Sequence, residues 1–317
     1  MLGRRQLREK VMQNIYAFNS QGSDSDQRIV EKNMMNGIDQ IYDLYIYLLN
    51  TILIQKEIAQ NKIEVAKTKN FLTEEDLNPN LKFVENKVFQ ILSMNSELGE
   101  FSEKNKQLNW DIFDTYPNTI FKELQESDLY KNYMSSPKRS LEEDKAFITQ
   151  FFVDFIVDND GLSDWFEGIQ INWADDLHIA NTMVYNTIQS FTAKSNANIK
   201  LFKVYKDEDD ERYAQDLFRL TLKHQKETTE FIGEMAENWE LDRIAALDLI
   251  ILEMAITEFK HFPSIPTKVT INEYIELAKN FSTEKSRIFV NGILDKSLKK
   301  LTDSKEINKF GRGLFEK

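Results

Sequence analysis

Cysteine is absent from all 317 residues, which excludes disulfide frameworks, zinc ribbons, iron–sulfur sites and cysteine nucleophiles. Glycine (10) and proline (5) are scarce against the usual ~7 % and ~5 %, so few residues can make tight turns or break helices. A mostly helical chain is predicted. The three histidines, His178, His224 and His261, lie far apart and show neither HExxH nor an i, i+4 pair, so the sequence supports no metal centre and no His-based catalysis. Its one GxG, Gly311-Arg312-Gly313, follows no strand and opens no helix, which removes support for nucleotide hydrolysis and dinucleotide binding. Long apolar runs are missing too. Ile41–Ile54 is interrupted by Asp43 and Asn50, and Ile244–Ile256 by Asp248 and Glu253, short of the ~20 residues that cross a bilayer. No apolar signal core follows Gly3-Arg4-Arg5. The expectation is a cytoplasmic protein without enzymatic activity, cofactor, metal or membrane partner.

What is present is a substantial core: 41 % hydrophobic residues with 12 % aromatics, in a length that suits one large or two ordinary domains. The net charge of -12 argues against nucleic acid when taken as an average. It is segregated, however. Residues 1–16 hold four basic residues against one acidic, and residues 243–317 hold 13 against 10, so each end is net +3. That leaves 23 basic and 41 acidic residues, net -18, to residues 17–242. Such a composition shift suggests an acidic insertion between two basic ends.

Leu7, Val11, Ile15 and Phe18 form the stripe of an amphipathic first helix, with Arg4 and Arg8 one turn apart on a shared face. The Ser20–Asp26 cluster ends it. Met34, Ile38, Ile41, Leu44 and Leu48 predict one or two long helices over 28–70, and Asn78-Pro79-Asn80 marks a break before another helical run, about 81–103. Ser140 with Glu143 and Thr270 with Glu273 read as capping boxes, and Ser282 as the N-cap of the last helix. The run Asp207–Glu211 reads as a solvated connector into a helix over about 212–237, and the tail after about Leu301 as frayed.

A shift of 66 residues superposes Asp144 on Asp210, Phe152 on Phe218, Asn172-Trp173 on Asn238-Trp239, Asp176 on Asp242 and Ala180 on Ala246. A shift of 63 places Asn109-Trp110 on Asn172-Trp173 and Asn118-Thr119 on Asn181-Thr182. Two readings stand: chance similarity among helices of like composition, or degenerate helical-hairpin repeats whose original is the C-terminal copy.

Ile244–Ile256 is apolar almost all round, which places its helix at a domain centre. Its Asp248 and Glu253 must then find partners or reach the surface, because a desolvated carboxylate is costly. Asp248 either makes a local salt bridge or is presented to a protein partner. Aromatics interleave with the basic ends: Arg4, Arg5 and Arg8 precede Tyr16, and Lys285 and Arg287 precede Phe289. Guanidinium groups grip phosphates and exposed rings stack on unpaired bases, so the mixture suits single-stranded nucleic acid. A solvated basic face with its aromatics in the core is the competing reading.

The two ends resemble the NusB family of bacterial transcription antitermination factors. The resemblance is carried by Trp239-Glu-Leu-Asp-Arg-Ile-Ala245, Asp248 to Leu252, Glu258, the run Ile265-Pro-Thr-Lys-Val-Thr-Ile-Asn-Glu-Tyr-Ile-Glu-Leu-Ala-Lys279, and Phe289-Val-Asn-Gly-Ile-Leu-Asp-Lys296. Gly3-Arg-Arg-Gln-Leu-Arg-Glu-Lys-Val-Met-Gln-Asn-Ile-Tyr-Ala-Phe18 is similar to the family's arginine-rich first helix. It implies an all-α fold: a NusB-like helical bundle made by 1–20 and 212–301, enlarged by an acidic, all-helical insertion over 21–211 that has at most one family helix in it, with a flexible basic tail over 302–317.

The resemblance further implies pairing with ribosomal protein S10 (NusE), binding of boxA-like single-stranded RNA from ribosomal RNA operons, and membership of an RNA polymerase antitermination complex. Family RNA contacts carry over onto Arg4, Arg5, Arg8, Tyr16, Asp242, Lys285 and Phe289, and a partner contact onto Asp248. Lys285 stands where relatives often have an acidic residue. The alternative is an all-helical protein–protein scaffold that uses the acidic insertion, with RNA binding weakened or lost. The NusB-like domain attached to some RNA methyltransferases is excluded by the missing Gly-rich loop and catalytic cysteine.

Overall fold

The computed structural model describes residues 2–22, 26–236 and 243–314. They form α-helices joined by turns, short 3-10 segments and a π-helical turn at Val153–Val157, and no strand occurs among the described residues. In chain order the helices are α1 (Arg4–Gln21), α2 (Gln27–Lys67), α3 (Glu74–Leu77), α4 (Lys87–Ser93), α5 (Ser96–Lys104), α6 (Thr115–Glu126), α7 (Asp128–Ser135), α8 (Leu141–Phe152), α9 (Asp160–Ile169), α10 (Asn172–Ser190), α11 (Glu208–Met235), α12 (Ala246–His261), α13 (Thr267–Phe281) and α14 (Glu284–Asp303). The chain is all-α, and it divides into two compact units, Asp39–Val204 and the pair of segments Leu2–Ile38 with Tyr205–Lys317.

The unit Asp39–Val204 is built on the part of α2 that it contains. Ile41, Leu44, Tyr45, Leu48, Leu49 and Ile52 are buried at helical spacing. Among the buried polar residues of this helix, Asn50 and Thr51 find partners, whereas Gln55 Oε1 has none among the described residues. Asn50 Nδ2 donates to the Leu108 carbonyl at 2.9 Å, and the Trp110 indole N–H donates to Thr51 Oγ1 at 2.8 Å, so α2 holds the segment leading to α6. The Asp144 carboxylate of α8 accepts from the Tyr133 hydroxyl at 2.6 Å and from the Lys87 backbone N–H at 2.9 Å, capping α4 from outside.

The second unit is centred on α12, as its all-round apolar sequence predicts. Ile250 to Phe259 are all buried, and α1, α11, α13 and α14 pack around this helix. Leu7, Val11 and Ile15 seat α1, and Phe18 is half-buried. Glu253 is buried where Thr229 Oγ1 donates at 2.6 Å and Gln225 Nε2 at 3.0 Å. Burial nevertheless raises its carboxyl above the ordinary glutamate value, against the pull of those two donors.

Several helix ends differ from the sequence expectation. The run Asp207–Glu211 is not a connector: Asp207 is the N-cap of α11, its Oδ1 accepting the Asp210 N–H at 3.1 Å. The next four acidic residues fill the first turn, where the helix dipole favours negative charge. Thr270 is not a cap, because α13 begins three residues earlier and the Thr270 hydroxyl is turned into the core. Thr283 caps α14, while Ser282 closes α13. Ser140 does cap α8, accepting the Glu143 N–H at 3.2 Å, but the Glu143 side chain pairs with Lys82. In the expected flexible tail, Lys309 Nζ donates to the carbonyls of Glu258 (3.2 Å) and Phe262 (2.9 Å), and the Phe310 N–H to that of Pro263 (3.1 Å).

Of the positions superposed by the 66-residue shift, Asp144 and Asp210 are both buried, as are Phe152 and Phe218, whereas Ala180 is buried and Ala246 exposed. Asn238, Trp239 and Asp242 lie outside the described residues.

Candidate functional site

The basic residues of α1 share a helix but meet different environments. Arg8 turns inward and is only 2 % exposed; its Nε and Nη2 donate to the two carboxylate oxygens of Glu258, both at 2.9 Å. Glu258, fully buried on α12, also accepts from the hydroxyls of Tyr213 (α11), Thr270 (α13, 2.7 Å) and, at 3.4 Å, Tyr274 (α13). The Arg8 guanidinium lies 5.4 Å from the Tyr213 ring centroid and 5.6 Å from that of Tyr274. Burial works against the charge on Arg8, but Tyr213 and Glu258 outweigh it and the guanidinium is held more firmly protonated than usual. Burial, reinforced by the Glu258 charge, pushes both tyrosine hydroxyls well above their ordinary value, so they remain donors. One ion pair with its hydroxyls thus ties α1, α11, α12 and α13 together.

That geometry corrects the expectation for Arg8 as a phosphate ligand. A phosphate cannot reach a 2 % exposed guanidinium without displacing Glu258. Arg8 instead fixes how α1 lies on the bundle, and with it where Arg4 and Arg5 emerge.

Those two remain accessible. Arg4 Nε donates to Asp210 Oδ1 at 2.8 Å while its guanidinium lies 4.8 Å from the Tyr213 ring centroid. Arg5, 49 % exposed at its side chain, forks onto both oxygens of Glu273 at 2.9 Å. The Arg5 bond, ahead of the opposing effect of burial, holds the Glu273 carboxyl below the ordinary glutamate value. Each arginine keeps N–H donors beyond those that face its carboxylate, since a guanidinium carries five.

Tyr16 is 44 % exposed, two turns beyond Arg8 along α1. On α14, Lys285 is exposed and in no ion pair among the described residues, and half-buried Phe289 follows one turn later. Arg287 is tied to Glu284 at 2.7 Å. Asp242 lies outside the described residues. Asp248 is not presented on the surface: it is 4 % exposed in the first turn of α12, and its Oδ1 has no hydrogen-bond partner among the described residues. The residues that sequence reasoning passed over are the acidic ones, Asp210, Glu258 and Glu273, which hold the arginines; Glu258 stands in the quoted NusB-like pattern, but nothing in its spacing points to a residue 250 positions away.

A family model described as the NusB family matches residues 175–299, the stretch from within α10 to within α14. Transcription antitermination protein NusB of Salinibacter ruber is 47 % identical over 117 residues, which cover 36 % of this chain and 73 % of that protein. This chain belongs to the NusB family. The protein of the same name from Acetivibrio thermocellus is 39 % identical over 122 residues, covering 38 % of this chain and 84 % of its own. That of Natranaerobius thermophilus is 40 % identical over 94 residues, 30 % of this chain and 68 % of its own. This NusB-family chain is therefore longer than its relatives. Its arginine-rich α1 lies outside the span 175–299 but in the same compact unit as α11 to α14. Among the described residues, no helix is long and apolar enough to cross a membrane.

Proposed function

We propose that this chain is a non-catalytic transcription antitermination factor that binds boxA-like single-stranded RNA, pairs with ribosomal protein S10 (NusE) and works within an RNA polymerase antitermination complex. The observation that carries the reading is the Arg8–Glu258 pair, which fixes an arginine-rich helix onto the family-matched bundle. Arg4, Arg5 and Lys285 supply phosphate contacts, and Tyr16 and Phe289 address bases. Arg8 acts by positioning α1. Asp242 keeps its assignment from the family resemblance. The S10 contact keeps its assignment to the start of α12 from the family resemblance, with Asp248, buried there, acting from within that turn.

The domain reading belongs to the same proposal: an acidic insertion over 21–211 within a bundle made by 1–20 and 212–301. It is supported by the single unit that Leu2–Ile38 forms with Tyr205–Lys317. The family-matched span begins 37 residues ahead of position 212, in α10, which belongs to the compact unit Asp39–Val204; on this reading α10 is the one family helix that the insertion holds.

The test is quantitative binding of boxA-like and scrambled RNA, with and without S10, across a range of salt. Arg4→Ala/Arg5→Ala should flatten the salt dependence by up to ~1.4 in log–log slope, at ~0.7 per lost single-strand phosphate contact. Tyr16→Ala should lower affinity and leave the slope unchanged. An unaltered slope in the arginine variant removes α1 from the RNA site, and equal binding of boxA-like and scrambled RNA, with S10 present, refutes the function.

A further inference from the structure

Between the first turns of α2 and the first half of α11 runs a groove of about 830 Å³, wholly within the unit that Leu2–Ile38 forms with Tyr205–Lys317. Among the described residues that line it, Arg28 and Lys32 lie one turn apart on α2, and Arg219 and Lys223 one turn apart on α11, against the carboxylates of Asp26 and Glu31. Both carboxylates are already engaged. The Arg219 guanidinium forks onto Glu31 at 2.8 and 2.6 Å, which ties α2 to α11 and leaves that pair neutral. Asp26 Oδ1 accepts the Arg28 backbone N–H at 2.8 Å, and the Asp26 carbonyl accepts those of Ile29 and Val30, so the end of α2 is satisfied from within. Arg28, Lys32 and Lys223 are left exposed and in no ion pair among the described residues.

What surrounds these three cations decides what they take. Among the described residues, Met35 is the one apolar residue that lines the groove, and no ring lines it. A protein partner anchors through apolar or aromatic side chains set in desolvated pockets, which the groove does not offer. Unpaired bases find no ring there to stack on. A phosphate backbone needs neither, because ammonium groups and guanidinium edges hold it whatever the bases are. Arg219 follows Asp210, which faces Arg4, by nine residues, about two and a half helical turns, so the groove lies on the side of α11 turned away from Arg4. One wall, 215–223, lies inside the family-matched span 175–299, and the other, 26–36, lies outside it.

We propose, resting on the RNA-binding function above, that this groove holds the phosphate backbone of RNA flanking the boxA-like element, without reading its bases. Arg28, Lys32 and Lys223 each take a phosphate, while Arg219, kept on Glu31, holds the two walls together. A strand bound at α1 must pass round α11 to reach the groove. A short boxA-like RNA therefore does not use it, and a longer one does.

The test measures affinity across a range of salt, with the full chain and S10 present, for a boxA-like dodecamer and for the same element carrying a dozen unstructured nucleotides on each side. The extension should steepen the log–log salt slope by up to ~2, at ~0.7 for each of three single-strand phosphate contacts. Scrambling the flanks should change nothing. Arg28→Ala/Lys32→Ala/Lys223→Ala, at three exposed residues, should abolish the added slope and leave dodecamer binding as it was. Lys32→Arg/Lys223→Arg should retain it. Lys104→Ala/Lys106→Ala/Lys122→Ala makes the same net-charge change in the unit Asp39–Val204 and should leave the added slope in place. Equal slopes for the two RNAs in the wild type would overturn the proposal, as would equal losses in the two alanine triples or a groove triple that weakens both RNAs alike. So would inorganic tripolyphosphate or an oligoglutamate peptide whose binding depends on the three residues while that of the extended RNA does not. A dodecamer bound no better than its scrambled counterpart would refute the RNA function itself, and the length-dependent slope would still decide the groove.

Discussion

Replacing Arg8 with methionine keeps an unbranched apolar stem and removes the guanidinium that faces Glu258. Removing one member of a buried ion pair costs about 3–5 kcal/mol, because the other is left charged in a medium that does not solvate it. The hydroxyls of Tyr213 and Thr270 still donate to Glu258, which places Arg8→Met near the lower end, about 3 kcal/mol. In Glu258→Met, Arg8 keeps only Glu273, 3.7 Å from Nη1, so that loss should be larger, about 4–5 kcal/mol. The double variant holds neither charge but strands the Tyr213 and Thr270 hydroxyls, at about 1–3 kcal/mol each. It should therefore be destabilised by about 3–4 kcal/mol, well short of the roughly 7–8 obtained by adding the single losses.

Hydrogen exchange of the α1 amides, followed by mass spectrometry of peptides spanning Arg4–Gln21, reads this locally. At about 1.4 kcal/mol per decade, Arg8→Met should lower α1 protection by roughly a hundredfold. A drop below tenfold, or a double variant whose loss equals the sum of the singles, would show that the pair does not hold α1 to the bundle.

Burial holds the Lys309 amine down to about 8, whereas an unfolded lysine titrates near ~10.4. Between those values the unfolded chain binds more protons, so stability should rise with pH from about 8 to 10.4. Urea midpoints across that range should show the rise in the wild type and lose it in Lys309→Met; a fall with pH would contradict the assignment. Asp210→Asn removes the carboxylate that faces Arg4. It should raise affinity for scrambled RNA by about twofold to fivefold, the scale of one exposed or half-exposed ion pair, and raise boxA affinity by less, which paired titrations will measure. Equal gains would mean that Asp210 plays no part in discrimination.

Periodic features were legible in the sequence because periodicity is local. Leu7, Val11 and Ile15 gave the buried side of α1, and the unbroken apolarity of Ile244–Ile256 placed α12 at a centre. The fate of the arginines was not legible. Spacing puts Arg4 and Arg8 on one face, but whether that face meets solvent or Glu258 is decided by tertiary contact across 250 positions. Helix ends were read only to within a few residues, since Ser282 and Thr283 carry equivalent hydroxyls and geometry alone chose the second. Asp207–Glu211 was misread because an acidic cluster looks the same in a loop as in a first turn, where the dipole stabilises it.

The carboxylates that face Arg4 and Arg5 behave as counterions built into the protein. A free guanidinium would take up any polyanion by simple addition, but one already matched to Asp210 or Glu273 accepts a phosphate only by exchange. Exchange between two oxyanions gains little by itself, so under the proposed function phosphate contacts alone would leave most RNA weakly held. A ligand that also engages Tyr16 or Phe289 has a second source of binding energy. Intramolecular pairing thereby turns a generic attraction for negative charge into a threshold, which only an RNA able to use rings as well as phosphates should pass.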